Sequence, residues 1–187
     1  MQGSSLGVRM RVMAAFAVAF VAAATAVFAL SALAGAGVRQ LAVPLHWRAV
    51  AAAVCLFALA LLDVISLRRK RYCLLGMARQ AKKSLLRKHG VTAVAAAWGA
   101  DTGLVVTTFR VAALTWGAMI LGLLGFASWW SGLAYGLAFT IPLLALLSTK
   151  TNGHRLERLL RRRPLIQSLS ALLLVAAGTL FLSHSLA

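Results

Sequence analysis

Three ionisable residues interrupt apolar stretches of this sequence: Asp63, Asp101 and Arg110. A charged group at membrane depth is costly, so such residues are candidates for proton relays, ion pathways or substrate binding. Asp101 is the most conspicuous of the three, because it lies between Gly99 and Gly103. Glycines at this spacing let the backbone leave helical geometry, or they let another helix approach closely.

A polar cluster around Asp101 is the main candidate site. Its members follow one another within about three helical turns: Asp101, Thr102, Thr107, Thr108 and Arg110. Broken helices at membrane depth are tolerated where they are buried in protein or line a water-filled cavity, and in transporters such breaks form binding sites. Asp101 could accept a proton, while Arg110 could hold an anionic group or neutralise Asp101. The alternative is a structural Asp101–Arg110 pair, which also requires a break, because a continuous helix would separate them by about 13 Å along its axis.

Asp63 has a simpler interpretation. It lies about one turn from the basic end of the second apolar stretch, close in sequence to Arg68 and Arg69. We predict a local ion pair between Asp63 and these arginines, with a functional role in the membrane as the alternative.

The usual signatures of enzymes are missing. The chain has only three Asp and Glu residues, which leaves little for a paired acid–base site. HExxH and Walker A motifs are absent, and the four histidines are scattered. Cys55 and Cys73 would lie about 27 Å apart on a continuous helix, too far for a disulfide. The sequence therefore indicates no metal site and does not identify a cofactor.

The overall composition is that of a membrane protein. The 187 residues are 61% hydrophobic and 12% charged, with a mean hydropathy of +0.87. Soluble domains have about a quarter charged residues and under half apolar ones. The formal net charge of +17 could suggest nucleic acid, but the basic stretches lack the interleaved aromatic residues of nucleic-acid binders. The composition excludes a soluble enzyme, a disordered basic tail and a disulfide-stapled secreted domain, and we expect no nucleic-acid partner.

Apolar stretches of about 20 residues predict an all-α fold, a polytopic integral membrane bundle in a single domain over residues 1–187. The predicted spans are 13–36, 49–67, 111–127, 129–148 and 165–186, with 91–108 as a partial, broken or re-entrant segment.

The first apolar stretch, 13–36, resembles a secretory signal. Its apolar run exceeds the roughly 7–15 residues of such a signal, so we predict a first transmembrane helix there.

The positions of Lys and Arg predict the orientation. Seventeen of the 20 lie in three regions, 9–11, 68–88 and 150–163. Because Lys and Arg concentrate in cytoplasmic loops, we place the amino terminus and both basic connections in the cytoplasm, with the chain in the plasma (inner) membrane. The chain between the two basic connections must then cross an even number of times. We predict five crossings in all; the alternative is six, with one basic connection outside.

The connection over 72–88 predicts an amphipathic helix in the cytoplasmic interface. Its cationic side carries the candidate docking residues Arg79, Lys82, Lys83 and Arg87. Anionic lipid would attract each of these by about 1 kcal/mol, and an anionic partner protein would be attracted similarly. The alternative is that the charges only set the topology.

These observations lead us to expect a transport-type or accessory subunit of a larger membrane complex, with the polar cluster around Asp101 at its centre. Little sequence lies outside the apolar stretches, so energy coupling would come from other membrane subunits or a homo-oligomer. One alternative is a membrane enzyme, or a thiol-disulfide or electron carrier, acting on a lipid, peptide or thiol. The other is a structural membrane anchor. Abundant Ala, Arg, Gly and Leu with few Lys indicate a bacterial source.

Overall fold

The computed structural model describes residues 3–69, 83–104, 112–148 and 162–186. These residues form six helices and no strands: α1 Gly3–Gln40, α2 Leu45–Arg68, α3 Lys83–Gly103, α4 Leu114–Leu123, α5 Trp130–Ser148 and α6 Arg163–Leu186. Three stretches, Gly7–Gln40, Leu45–Arg68 and Arg163–Ser185, are long and apolar enough to cross a membrane. The prediction of an all-α fold is confirmed, and the three apolar helices fit a membrane-embedded protein.

The helices form two groups, with α4 packed against both. In the first group α1 packs against α3 and α5; in the second, α2 packs against α6. The α1 group has an aromatic core, because Phe16, Phe20 and Phe28 form a buried stripe at multiples of four residues along α1. The Phe20 ring stacks on Phe139 of α5 with 4.7 Å between ring centroids. In the α2 group, Leu56, Leu59 and Leu174 belong to one hydrophobic core cluster.

Helices α1 and α3 approach closely through two glycines. A Cβ atom at Gly99 would collide with the carbonyl oxygen of Phe16, and one at Gly103 with that of Phe20. Successive turns of α3 therefore meet successive turns of α1 in the same order, which makes the two helices parallel. The glycines serve packing, since α3 is helical from residue 91 to Gly103 and departs from helical geometry at Gly90, where φ is 75°.

The remaining directions follow from similar contacts. Helix α4 runs parallel to α1, because Gly122 meets Ser31 and Gly125 meets Gly35. Helix α6 runs antiparallel to α2, since Ser170 bonds Asp63 while Gly178 lies against Phe57, farther back along α2. In α5, Gly132 lies beside Phe28 and Gly136 beside Val21, so α5 is antiparallel to α1.

Helix α4 is shorter than the span predicted over 111–127. It has ten residues, which correspond to about 15 Å, or half the roughly 30 Å hydrocarbon thickness of a bilayer. Its first residues pack at Gly117 against the side chains of Leu56 and Leu174, inside the α2 group. Helix α4 therefore begins within the apolar part of the bundle, and this start is the feature that positions the candidate site.

Candidate functional site

The carboxylate of Asp63 is completely buried at the point where three helices meet. The backbone N–H of Ala113 donates to both of its oxygens, at 2.9 Å to Oδ1 and 3.1 Å to Oδ2. The hydroxyl of Ser170 donates to Oδ2 at 2.5 Å. One side chain thus connects α2, the start of α4 and α6.

The partner of Asp63 on α4 is the beginning of the helix itself. Ala113 is the N-cap residue of α4 and has no side chain that could accept a hydrogen bond from the first turn. The first N–H groups of a helix have no partner within the helix, and the amino-terminal end carries a partial positive charge. A carboxylate from another helix is therefore an effective cap for α4.

The predicted ion pair between Asp63 and Arg68 or Arg69 is wrong. In the part of the chain that the structure describes, the carboxylate is bonded by Ala113 and Ser170, and both arginines are exposed. The reason is the helical rotation. Residues five and six positions along a helix point about 140° and 120° away from the first, so both arginines leave the buried face of α2.

A second polar layer lies one turn from Asp63 toward the basic end of α2. Ser66 and Gln167 are both fully buried. Because α2 and α6 are antiparallel and Asp63 bonds Ser170, the residues three positions away, Ser66 and Gln167, come level with each other. The Ser66 hydroxyl has no hydrogen-bond partner among the described residues. The interface of α2 and α6 therefore carries two consecutive polar layers in an otherwise apolar core.

The opposite end of α4 is held by arginines. Arg39, in the last turn of α1, donates from Nη1 to the carbonyl oxygen of Gly125 at 2.9 Å. Arg48, near the start of α2, donates from Nη1 to the carbonyl of Leu124 at 3.3 Å, and its guanidinium lies 5.6 Å from the centroid of the Phe126 ring. Cations stabilise the partially negative carboxyl-terminal end of a helix. Both ends of α4 thus face side chains of complementary charge.

The sequence-predicted cluster is described only in part. Asp101 and Thr102 are half-buried neighbours in the last turn of α3, and the Thr102 hydroxyl donates to the Trp98 carbonyl at 2.7 Å. The other three predicted members, Thr107, Thr108 and Arg110, lie outside the described residues. The proposal of a cluster facing the bundle interior therefore remains a prediction.

The predicted docking residues are also described only in part. Arg79 and Lys82 lie outside the described residues, while Lys83 and Arg87 belong to the first, helical part of α3, whose side chains are not described. That part, residues 83–89, overlaps the end of the amphipathic helix predicted over 72–88. The kink at Gly90 separates it from the stretch of α3 that packs on α1.

The sequence analysis did not identify the buried polar residues that lie around Asp63 on α2 and α6. Ser66, Gln167 and Ser170 were not candidates, although a signal for them was present. Asp63 and Ser66 are three residues apart in one apolar stretch, and Gln167 and Ser170 are three apart in another. Matching polar pairs at helical spacing on two spans are the pattern expected where two membrane helices join through polar side chains.

The chemistry open to this arrangement is that of oxygen ligands and proton exchange. A buried carboxylate beside hydroxyls and an amide can take up a proton or bind a small cation. No group of three His, Cys, Asp or Glu residues able to hold a metal ion occurs in the described part of the chain, and the half-buried Cys55 is a free thiol. No protein-family model, curated protein or solved structure matches this chain.

Proposed function

We propose that this chain is a small transport-type subunit of a larger membrane assembly, with a proton or cation pathway that passes the interval between α3 and α4. One observation carries the proposal: a helix begins inside the apolar bundle, and a fully buried carboxylate, Asp63, caps it. Discontinuous membrane helices with free backbone groups and charged side chains at the break are the usual construction of ion and substrate sites in transporters.

The proposed topology has five crossings, one of them discontinuous. Helices α3 and α4 both run parallel to α1 and contact successive stretches of it, α3 at Phe16 and Phe20 and α4 at Ser31 and Gly35. After the kink at Gly90, α3 is about 20 Å long, and α4 is about 15 Å long. Each is shorter than the roughly 30 Å hydrocarbon core, so the two together would make one crossing. This count keeps both basic connections on the cytoplasmic side.

The working group in this proposal is Asp63. Its carboxylate is held by two neutral donors, Ala113 N–H and Ser170 O–H, so no fixed cation occupies it within the described residues. Protonation or cation binding would compete with these hydrogen bonds and would loosen the start of α4. Occupancy of Asp63 would therefore be coupled to the position of a short helix that contacts both helix groups.

The sequence-predicted cluster would form the other side of the same pathway. Asp101 and Thr102 stand at the end of α3, and Ala113 stands at the beginning of α4. The remaining predicted residues belong to the connection between the two helices: Thr107, Thr108 and Arg110. Polar residues on both sides of the break are what a proton or cation needs to cross an otherwise apolar bundle.

Ion flux into liposomes tests this proposal. The protein, isolated in mild detergent with any subunits that co-purify, would be reconstituted and assayed for H⁺ and Na⁺ entry under an imposed membrane potential. We expect flux above that of protein-free liposomes, and a loss of at least tenfold in Asp63→Asn. Asp101→Asn should also lower the flux if the Asp101 cluster lines the pathway.

Ser170→Ala and Ser31→Ala form a matched pair for this assay. Both hydroxyls are buried, but Ser170 bonds Asp63, whereas Ser31 bonds the Val27 carbonyl of its own helix at 2.9 Å. Ser170→Ala should reduce the flux severalfold and Ser31→Ala should not. The proposal would be contradicted if a folded Asp63→Asn protein carried as much ion flux as the wild type. It would also be contradicted if the wild-type protein gave no more flux than empty liposomes for either ion.

A structural anchor is the second candidate, and the capping of α4 at both ends favours it. In that function Asp63 would serve only to hold α4 between the helix groups. Asp63→Asn would then lower the stability of the assembly and the yield of co-purifying subunits, while no ion flux would be attributable to the wild-type protein. The flux assay therefore separates the two functions.

A further inference from the structure

A groove of about 530 Å³ opens at the end of the bundle where α4 finishes. Its floor is apolar and comes from α1, at Ala29, Ala32 and Leu33. Arg39 stands at one end of this floor, and the connection between α4 and α5, residues 125–129, forms the wall. The groove therefore joins an apolar strip to a cationic end.

The positive charge at this groove has no acidic counterpart nearby in the part of the chain that the structure describes. Arg39 and Arg48 both approach Gly125: a Cβ atom there would lie 3.2 Å from Arg39 Cγ and 3.1 Å from Arg48 Nη1. Asp63 is about 22 Å from Arg48 along α2, and Asp101 lies level with a part of α1 roughly 30 Å from Arg39. Among the described residues, two guanidiniums thus converge with no carboxylate at this end of the bundle.

The dimensions of the groove fit one leaflet of a bilayer. Ala29 and Arg39 are ten residues apart on α1, or about 15 Å, which is half of the roughly 30 Å hydrocarbon thickness. Trp129 lines the groove and is 59% exposed, and Trp47 and Trp130 are exposed by similar fractions. Exposed tryptophans are typical of the headgroup level of a membrane, so the arginine end of the groove lies where lipid phosphates would be.

We propose that this groove binds an anionic phospholipid, with the phosphate at Arg39 and an acyl chain along Ala29, Ala32 and Leu33. Arg48, half-buried beside Gly125, adds positive charge near the phosphate without lining the groove. The apolar floor favours a lipid over a soluble anion, because a free phosphate would gain nothing from it. The guanidiniums favour an anionic headgroup over a zwitterionic one, because a net negative ligand compensates both charges.

Lipid titration followed by native mass spectrometry tests this site. Phosphatidylglycerol and phosphatidylcholine of the same acyl composition would be added to the detergent-solubilised protein. We expect phosphatidylglycerol to bind at least tenfold more tightly than phosphatidylcholine at the tightest site. Arg39→Gln should weaken the binding of phosphatidylglycerol about five- to tenfold. Arg68→Gln is the matched control, because Arg68 is an exposed arginine at the other end of α2.

A second pair of variants separates a lipid from a soluble anion. Leu33→Asn places an amide on the apolar floor, while Leu30→Asn makes the same change on α1 outside the groove; both leucines are about two-thirds exposed, at 69% and 66%. Leu33→Asn should weaken lipid binding severalfold, and Leu30→Asn should not. Equal binding of both lipids, an unchanged affinity in Arg39→Gln, or competition by glycerol phosphate together with an unaffected Leu33→Asn would overturn the proposal.

Discussion

The two ends of α4 are stabilised by the same kind of interaction in different surroundings. At the amino-terminal end, a fully buried carboxylate accepts the N–H of Ala113. At the carboxyl-terminal end, two guanidiniums donate to the carbonyls of Leu124 and Gly125, and of these Arg39 is exposed and Arg48 half-buried. In both places a charged side chain meets the helix end of opposite partial charge.

The difference in burial decides what each interaction contributes. Where water can replace a lost partner, a charge at a helix end stabilises by about 0.3–1 kcal/mol. Where water is excluded, removal of the partner leaves a donor unsatisfied at a cost of about 1–3 kcal/mol. The Asp63 end should therefore hold α4 in place, and the arginine end should make a smaller contribution.

Asp63→Ala should produce the largest loss of stability. The substitution leaves the Ala113 N–H and the Ser170 hydroxyl without their acceptor, so we expect the free energy of unfolding to fall by about 2–4 kcal/mol. For a chain of this length that corresponds to a fall in Tm of roughly 10 °C, measurable by circular dichroism in detergent.

Asp63→Asn is the informative companion to this variant. Its side-chain oxygen can still accept the Ala113 N–H, so the loss should be clearly smaller than for Asp63→Ala. Ser31→Ala, which removes a buried hydroxyl bonded within α1, controls for the loss of any buried polar group. An Asp63→Ala protein as stable as Ser31→Ala would mean that the carboxylate does not hold α4.

The sequence predicted the long helices well and the short one poorly, for a physical reason. The signal for a span is summed over about 20 residues, so 49–67 and 165–186 correspond closely to Leu45–Arg68 and Arg163–Leu186. The start of α4 is decided by Asp63, 50 residues earlier in the chain, and Asp63 is bonded by Ser170, 107 residues later. Reasoning from neighbours in sequence could find only Arg68 and Arg69 as partners. The polar pairs three residues apart on α2 and α6 were the available signal, because they lie on the two helix faces that pack against each other.

The glycines beside α4 show the opposite difference between its two ends: steric packing is tighter at the carboxyl-terminal end, where the charged interaction is weaker. A Cβ atom at Gly35, near the carboxyl-terminal end, would collide with backbone atoms of Gly122 and Gly125. At Gly117, nearer the amino-terminal end, it would meet leucine side chains and no backbone, the nearest being the tips of Leu174 and Leu56 at 2.7 and 3.1 Å. Backbone cannot move aside as a leucine methyl group can. Gly35→Ala should therefore lower the stability by about 1–3 kcal/mol.

Gly117→Ala is the matched control for that prediction. The added methyl group costs some repacking of two leucines, while alanine favours the helix over glycine by up to about 1 kcal/mol. We expect a net change close to zero, measured by the same thermal unfolding. Similar losses of stability at both positions would contradict the inference that α4 packs most closely against α1.

The arginine end should give the smallest effects, and these should depend on salt. Arg48→Gln removes a hydrogen bond and the contact with Phe126 from a half-buried site, so we expect a loss of about 1 kcal/mol in the free energy of unfolding.

Arg39→Gln removes an interaction from an exposed site and should cost about 0.3–1 kcal/mol at low ionic strength. Because the Debye length falls from about 10 Å at 0.1 M salt to about 3 Å at 1 M, the difference between wild type and Arg39→Gln should shrink at high salt. The effect of Asp63→Ala should shrink much less, because an interaction of a fully buried charge is screened far less than an exposed one. An Asp63→Ala effect that shrank with salt as much as the Arg39→Gln effect would contradict the contrast in burial between the two ends of α4.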